Sequence, residues 1–222
     1  MYKVRKGWQF VKRRLFGKRA VMLDYTTTPS TPSILQLPPN IHRVGTYADW
    51  CKLKQLVLLN QVDVRYNYVS FEANLDGWSD VDEILLSKIQ MVQFIGGLWP
   101  GVLPHLKCVS HVIIKHSIIN SLSELVSLGS LVTTLLIDNT RIRLPWLRTF
   151  SRLSHLALVG IFQGDLTLPT LPELVLADLS HSNVTFVEPQ PRLLHLRVNI
   201  DHCNVIRDLP MLLILILADS TT

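Results

Sequence analysis

Residues 79–95 read SDVDEILLSKIQMVQFI, and what this stretch becomes decides the fold. Ser79 stands three residues before Asp82 at the entrance to an apolar run, the arrangement of a capping box, in which a hydroxyl and a carboxylate take up free amides at a helix start. The pattern predicts a helix beginning near Val81, with Ile84, Leu85, Ile89 and Val92 on its buried face. Gly96-Gly97 and Trp99-Pro100 would close it, because glycine lets the backbone turn and proline cannot continue a helix. Upstream, residues 53–68 (LKQLVLLNQVDVRYNY) are rich in β-branched and aromatic side chains, and Val62, Val64 and Tyr66 alternate with polar neighbours, which predicts one or two strands. Downstream, residues 109–114 read as strand, and residues 121–136 fit a second helix or a leucine-bearing loop. From Ile137 onward the apolar runs are short and lie between Pro, Gly, Asn and Asp. Residues 153–159, 165–168, 171–176, 193–200 and 212–217 are strand-like. An early helix followed by a strand-dominated half predicts an α+β fold: a single compact domain with a twisted, largely antiparallel sheet and two or so helices.

A leucine-rich-repeat solenoid is the alternative. LxxLxL-type triplets can be set at Leu53, Val81, Val109, Val132, Leu153, Leu171, Leu193 and Leu212, with offsets of 28, 28, 23, 21, 18, 22 and 19 residues, against about 20–29 in such repeats. Leu, Ile and Val make up about a third of the chain, so triplets of this kind also arise by chance. Where the repeat carries an asparagine ladder, this chain has Gln61, Ile89, Ser117, Thr140, Ile161, Leu179, Asp201 and Ser220. The second window also falls inside the expected helix. On this reading the chain is a protein–protein interaction module, and His111, Thr134, His155, Glu173 and His195 line one column of a concave face.

Charge is distributed unevenly. Positions 1–25 hold eight of the 22 Lys and Arg (Lys3, Arg5, Lys6, Lys12, Arg13, Arg14, Lys18, Arg19) against Asp24 alone, so this arm carries +7 of a net +5 and the remainder −2. Such a block seeks phosphate, on a lipid surface or on nucleic acid. Val4, Trp8, Val11 and Leu15 share one face at helical spacing, the pattern of a segment lying on an anionic membrane, with Phe16 adding apolar grip. Each basic residue near a charged leaflet contributes roughly 1 kcal/mol. After the arm (residues 1–25), residues 26–45 form a Pro/Ser/Thr-rich linker in which prolines interrupt any hydrogen-bonded structure. It contains Pro29-Ser30-Thr31-Pro32 and Pro38-Pro39-Asn40, exposed pieces of the polyproline kind that peptide-binding domains capture. Residues 46–222 are the globular domain.

Hydrophobic residues make up 48% of the chain and its mean hydropathy is +0.27, high enough to suggest that lipid, a partner or other copies cover apolar surface beyond the core. The longest apolar run, residues 211–218, is far short of the roughly 20 residues needed to cross a bilayer. No uninterrupted apolar region follows the cationic start, so no secretory signal is expected. Cys51, Cys108 and Cys203 are odd in number with no CxxC, and reduced thiols packed as small apolar residues are expected.

In order along the chain, Arg65-Tyr66 leads into RYNYVSF, Ser79-Asp80-Val81 opens a helix, and Phe94-Ile95-Gly96 follows it. Arg141-Ile142-Arg143-Leu144-Pro145 comes next, and then Gly160-Ile161-Phe162-Gln163-Gly164 running into Leu166 and Leu168; LRVNIDHCNVIR begins at Leu196. This succession, with a basic arm and a Pro/Ser linker ahead of one domain, resembles the matrix proteins of rhabdoviruses, of the vesiculovirus type. The resemblance implies a structural protein of the virion that lies beneath the envelope and, in the host, in the cytoplasm, at the membrane periphery or in the nucleus. It implies that the arm binds the anionic inner leaflet and the viral ribonucleoprotein, and that the domain self-associates and drives assembly and budding. Residues 121–132 and 209–217 are the candidate self-contact surfaces. The family's Pro-Pro-x-Tyr is here Pro38-Pro39-Asn40-Ile41, and its Pro-Ser/Thr-Ala-Pro form is Pro29-Ser30-Thr31-Pro32, so recruitment of host budding machinery rests on remnants only.

No catalytic constellation emerges from the sequence, and no enzyme, cofactor or metal is expected. His111 and His116, and the group His195, His202 and Cys203, would be pointed apart by a strand or a turn. Asp80, Asp82 and Glu83 are explained by helix capping. No GxxxxGK[ST] or GxGxxG phosphate cradle occurs.

Overall fold

The computed structural model describes residues 21–22, 41–72, 82–99, 101–161, 167–184, 186–199 and 209–218. Along the chain run β1 (Val21–Met22), β2 (Ile41–Val44), α1 (Tyr47–Leu58), β3 (Tyr68–Glu72), α2 (Glu83–Lys88), β4 (Met91–Ile95), a 3-10 turn (Leu103–His105), β5 (His111–Lys115), α3 (Ser123–Gly129) and β6 (Thr134–Asp138). A second 3-10 turn (Leu144–Thr149), β7 (His155–Val159), β8 (Thr167–Leu168), β9 (Leu176–His181), β10 (Phe186–Val187), β11 (His195–Asn199) and β12 (Ile214–Ala218) complete it. The main sheet has the order β1-β12-β11-β9-β7-β6-β5-β4-β3-β2, and its pairings are parallel. The expected α+β domain with a largely antiparallel sheet is therefore overturned. From β2 to β9 each strand of this sheet is followed by a return path through a helix, a 3-10 turn or a short outer strand, which brings the next strand back in the same direction; antiparallel neighbours need only a tight hairpin. From β2 onward the strands of this sheet begin at Ile41, Tyr68, Met91, His111, Thr134, His155, Leu176, His195 and Ile214, one strand per coil. These steps lie close to the range of roughly 20–29 residues that leucine-rich repeats occupy. The sheet is open, with β1 and β2 at its two edges.

The stretch 79–95 shows why the expectation failed. Asp82, not Ser79, caps the helix, its Oδ1 accepting from Leu85 N–H at 3.0 Å, and α2 ends at Lys88. Ile89 turns extended (φ −68°, ψ 123°), and residues 91–95 are strand β4 rather than the continuation of a helix. The reason is packing: Ile89-x-x-Val92-x-Phe94 is itself a repeat triplet whose three side chains are fully buried, whereas Ile84, expected inside, is exposed. Residues 53–68 depart in the opposite sense, since α1 takes the place of the first expected strand and strand structure begins only at Tyr68. Its start is a capping box, Asp49 N–H donating to Thr46 Oγ1 at 3.2 Å and Thr46 N–H to Asp49 Oδ2 at 2.9 Å. Trp50 and Leu53 then anchor the helix in the core. Of the expected strand 171–176, residues 171–175 form a turn before β9, which takes only Leu176 of them: the buried Gln190 accepts from Leu171 N–H at 3.0 Å and donates to Pro169 O at 2.7 Å, which keeps the start of the segment out of the sheet.

Within each coil the second and fourth strand residues face inward, as do Val112 and Ile114 or Leu135 and Ile137, and join the helices in one continuous core. The residue two before β4, β5, β6, β7, β9, β11 and β12 is buried as well: Ile89, Val109, Val132, Leu153, Leu174, Leu193 and Leu212. Five of the expected triplet positions (Val109, Val132, Leu153, Leu193, Leu212) lie on this register. Leu171 is three residues early, Leu53 belongs to α1, and Val81 lies outside the described residues. The carbonyl just before a strand takes two amides of the next coil, Thr133 N–H and Thr134 N–H on Ser110 O at 2.9 and 3.0 Å being one instance. Just after β4 to β7 the backbone turns left-handed at Gly96, His116, Asn139 and Gly160 (φ 81°, 50°, 45° and 67°), each N–H donating to the following coil.

At two of the positions where the asparagine ladder was sought, Ser117 and Thr140, hydroxyls stand, and Ser182 takes the same place after β9, eight residues on from Leu174. Ser117, Thr140 and Ser182 are buried. Ser117 Oγ donates to Lys115 O at 2.8 Å, Thr140 Oγ1 donates to Asp138 O at 2.9 Å and accepts from Ser117 N–H at 3.3 Å, and Ser182 Oγ donates to Leu179 O at 3.0 Å. Buried backbone groups need partners, and a hydroxyl that both donates and accepts supplies them as an amide would. Strand β1 falls within the expected arm and β2 within the expected linker, so the body is under way by Ile41.

Candidate functional site: the open face of the sheet

The odd-numbered positions of each strand point away from the main core, and they build a second, separate apolar cluster of Tyr68, Ile113, Leu136 and Ala157, flanked by Ile41 and Met91. Every member comes from a strand, whereas the helices and 3-10 turns contribute to the main core only. The sheet therefore has one face covered by the coils and a second, open only in that no described helix or 3-10 turn packs on it: its centre row is buried, Ile113, Leu136 and Ala157 being 5%, 6% and 0% exposed, and only the flanking rows reach the surface.

Parallel register lines up this face in rows. The first row runs Tyr68, Met91, His111, Thr134, His155, Leu176, His195. Four of the five residues expected in one column are thus neighbours in order; Leu176 occupies the place expected for Glu173, which lies in the preceding turn and pairs with Arg192. The centre row changes character along the sheet: Ser70 and Gln93, then Ile113, Leu136 and Ala157, then Asp178 and Arg197. In the outer row Lys115 and Asp138 pair at 3.7 Å.

Polar groups at both ends of the centre row are incompletely satisfied. Gln93 Nε2 donates to Ser70 Oγ at 3.0 Å, but Gln93 Oε1 accepts nothing. Asp178, 2% exposed, accepts from Ser180 N–H and Oγ through Oδ1, while its Oδ2 lies 3.6 Å from Arg197 Nη1 without a hydrogen bond, and Arg197 Nε is also unpartnered. Each buried group left so costs about 1–3 kcal/mol. Sequence inspection missed Gln93, Asp178 and Arg197; polar residues at the third position of otherwise apolar strands were the available signal.

His111 and His155 each contact the preceding serine, Nδ1 lying 2.8 Å from Ser110 Oγ and from Ser154 Oγ. Ser154 Oγ also lies 3.0 Å from Thr133 O, so its one hydroxyl proton is shared between a carbonyl and an imidazole, and the tautomer of His155 sets which of them receives it. Burial pushes both imidazoles below their ordinary range, and the nearby His155 lowers His111 further.

The remaining expected positions are dispersed. His116 sits in the left-handed turn after β5, Asp82 caps α2, and Glu83 faces His105 at 3.6 Å. Among the described residues no group of three or more His, Cys, Asp or Glu could hold a metal ion. Cys108 is exposed and Cys51 half-buried, so neither is packed as a core residue. Of the candidate self-contact surfaces, Leu125, Leu128 and Val132, and Leu209, Leu212 and Leu215, are core; Leu122, Val126, Met211 and Leu213 remain exposed. Asp80, His202, Cys203, the arm positions from Lys3 to Arg19 and the linker positions Pro29, Ser30, Thr31, Pro32, Pro38 and Pro39 lie outside the described residues. Among the described residues no helix is long and apolar enough to cross a membrane. No protein-family model, curated protein or solved structure matches the chain.

Proposed function

We propose that this chain is a non-enzymatic protein-recognition module of stacked repeats, and that the first row of its open sheet face takes a segment of a partner protein laid across the strands. The observation that carries the proposal is the first row, in which Met91, His111, Thr134, His155 and Leu176 are half-buried and His195 exposed, side by side in one parallel register above a buried centre row. A rigid parallel scaffold presenting adjustable side chains in rows is the means by which repeat proteins build extended binding surfaces. The complementary segment carries hydrogen-bonding groups for His111, Thr134 and His155, which stand roughly 4.8 Å apart on successive strands.

Peptides selected from a random-peptide display library on the full chain test this. Binding should be abolished by Thr134→Lys or His155→Glu on the open face and unchanged by Ile84→Glu on the helical side. Selected peptides that ignore the open-face substitutions would overturn the assignment.

The basic arm supports a second role, as a tether to an anionic surface. The concentration of eight cations within positions 1–25 favours it. Full-length protein should float with anionic vesicles in an RNA-competed assay and detach in salt, since exposed charge attraction is screened; indifference to such vesicles removes the tether. Roles in budding and ribonucleoprotein packing came with an antiparallel α+β body and are set aside.

A further inference from the structure

Strand β1 occupies an unexpected place. Val21 pairs with Ile214 and Met22 with Leu215, so β1 lies on the outer edge of β12, at the opposite end of the sheet from β2, the next strand in the chain. Yet the step along the chain from Val21 to Ile41 equals that from Met91 to His111, which is one coil of the body. Both strands belong to the same row: Ile41 is in register with Tyr68, and that row continues through His195 to Ile214 and Val21. The segment thus has the spacing and phase of a coil stacked directly before β2, and the register that fits the edge of β12.

We propose that β1 joins copies of this chain head to tail, lying beside its own β2 while pairing in parallel with β12 of a second copy. Within one chain the same pairing requires residues 23–40 to cover nine strand spacings along the sheet, about 43 Å at 4.8 Å each. Between copies β1 need lie only one strand spacing from β2, with the same 20-residue offset that separates β4 from β5. The receiving edge points the same way. Strand β12 reads ILILA, with no charge and no proline, the devices by which natural sheets blunt an open edge, and β1 covers two of its five residues. A contact in which one end meets the opposite end of the next copy is heterologous and generates an open series rather than a closed dimer. This surface is distinct from the open face proposed for partner recognition, and its test does not involve that face.

Sedimentation velocity of the full chain over a hundredfold range of concentration should show the weight-average mass rising by about twofold or more. A Val21→Pro/Met22→Pro variant, which removes the strand's backbone donors, should remain monomeric with an unchanged circular dichroism spectrum. A Val21→Cys/Ile214→Cys variant separates the two topologies, because neighbouring strand positions lie within disulfide reach. On a non-reducing gel it should give a ladder of chain multiples that is absent from either single substitution. Wild-type protein that is monomeric at every concentration, or a double-cysteine variant bridged only within single chains, would overturn the proposal.

Discussion

Replacing Thr140 by valine tests whether hydroxyls carry the turn that joins one coil to the next. Thr140 is 3% exposed, and valine has nearly its shape, so no cavity forms. What disappears is the acceptor for Ser117 N–H at 3.3 Å and the donor to Asp138 O at 2.9 Å. Asp138 O keeps the His116 amide at 3.0 Å and stays satisfied, whereas the buried Ser117 amide loses its acceptor. That orphan costs about 1–3 kcal/mol, offset by up to about 0.8 kcal/mol for the added buried methyl, a net loss of roughly 1–2 kcal/mol. With a urea dependence of about 2–3 kcal/mol per molar, the unfolding midpoint should fall by roughly 0.5 M. Thr140→Asn, which can again accept from the Ser117 amide, should lose less than Thr140→Val. If the valine variant unfolds at or above the wild-type midpoint, the hydroxyls are not substituting for an asparagine ladder, and the turns are held by something else.

Asp178 and Arg197 should be strongly coupled: Asp178→Ala strands a largely buried guanidinium and should cost about 3–5 kcal/mol, while Asp178→Leu/Arg197→Met should recover most of it. A thermal-unfolding double-mutant cycle in which the two losses simply add would contradict this. Histidine burial predicts a pH dependence of definite sign. His111 and His155 bind protons less readily folded than unfolded, so their contribution is complete above the ordinary histidine pKa of about 6.5 and is lost as pH falls through it towards the lower folded values. Stability should decline from about pH 7 to about pH 5, and His111→Gln/His155→Gln should flatten that slope. The hydrogen-bonded carboxylates act in a lower window, because Asp63 is held down to about 2 by Arg65, and Asp49 and Glu188 are also lowered by their donors. An unchanged slope in the double variant would count against the buried-imidazole account.

Much of the coil register could be read from the chain and was outweighed by two local signals. The missing asparagines counted against repeats, yet Ser117, Thr140 and Ser182 satisfy the same turns, and a hydroxyl in that position is indistinguishable in sequence from any other serine or threonine. The apparent helix over residues 79–95 hid the triplet Ile89-x-x-Val92-x-Phe94, because six residues of real helix and five of strand share one apolar run. Similarly, the box at Thr46 and Asp49 was available as a helix start and was masked by the β-branched composition that follows. On the open face, the row of His111, Thr134, His155 and His195 followed from the repeat spacing alone. Its fifth member did not, because the turn held by Gln190 shifts β9 three residues along.

The amino-acid sequence alone determined which residues are inward-facing in the coils that begin at Val109, Val132, Leu153, Leu193 and Leu212, because burial imposes a short-range LxxLxL rhythm that each coil must satisfy by itself. Tertiary structure decided the direction in which strands pair, the face left open, and the company kept by Gln93, Asp178 and Arg197. Parallel neighbours meet only after a full coil of chain, through a return path whose course depends on what packs beneath it. Nothing within either strand encodes that meeting.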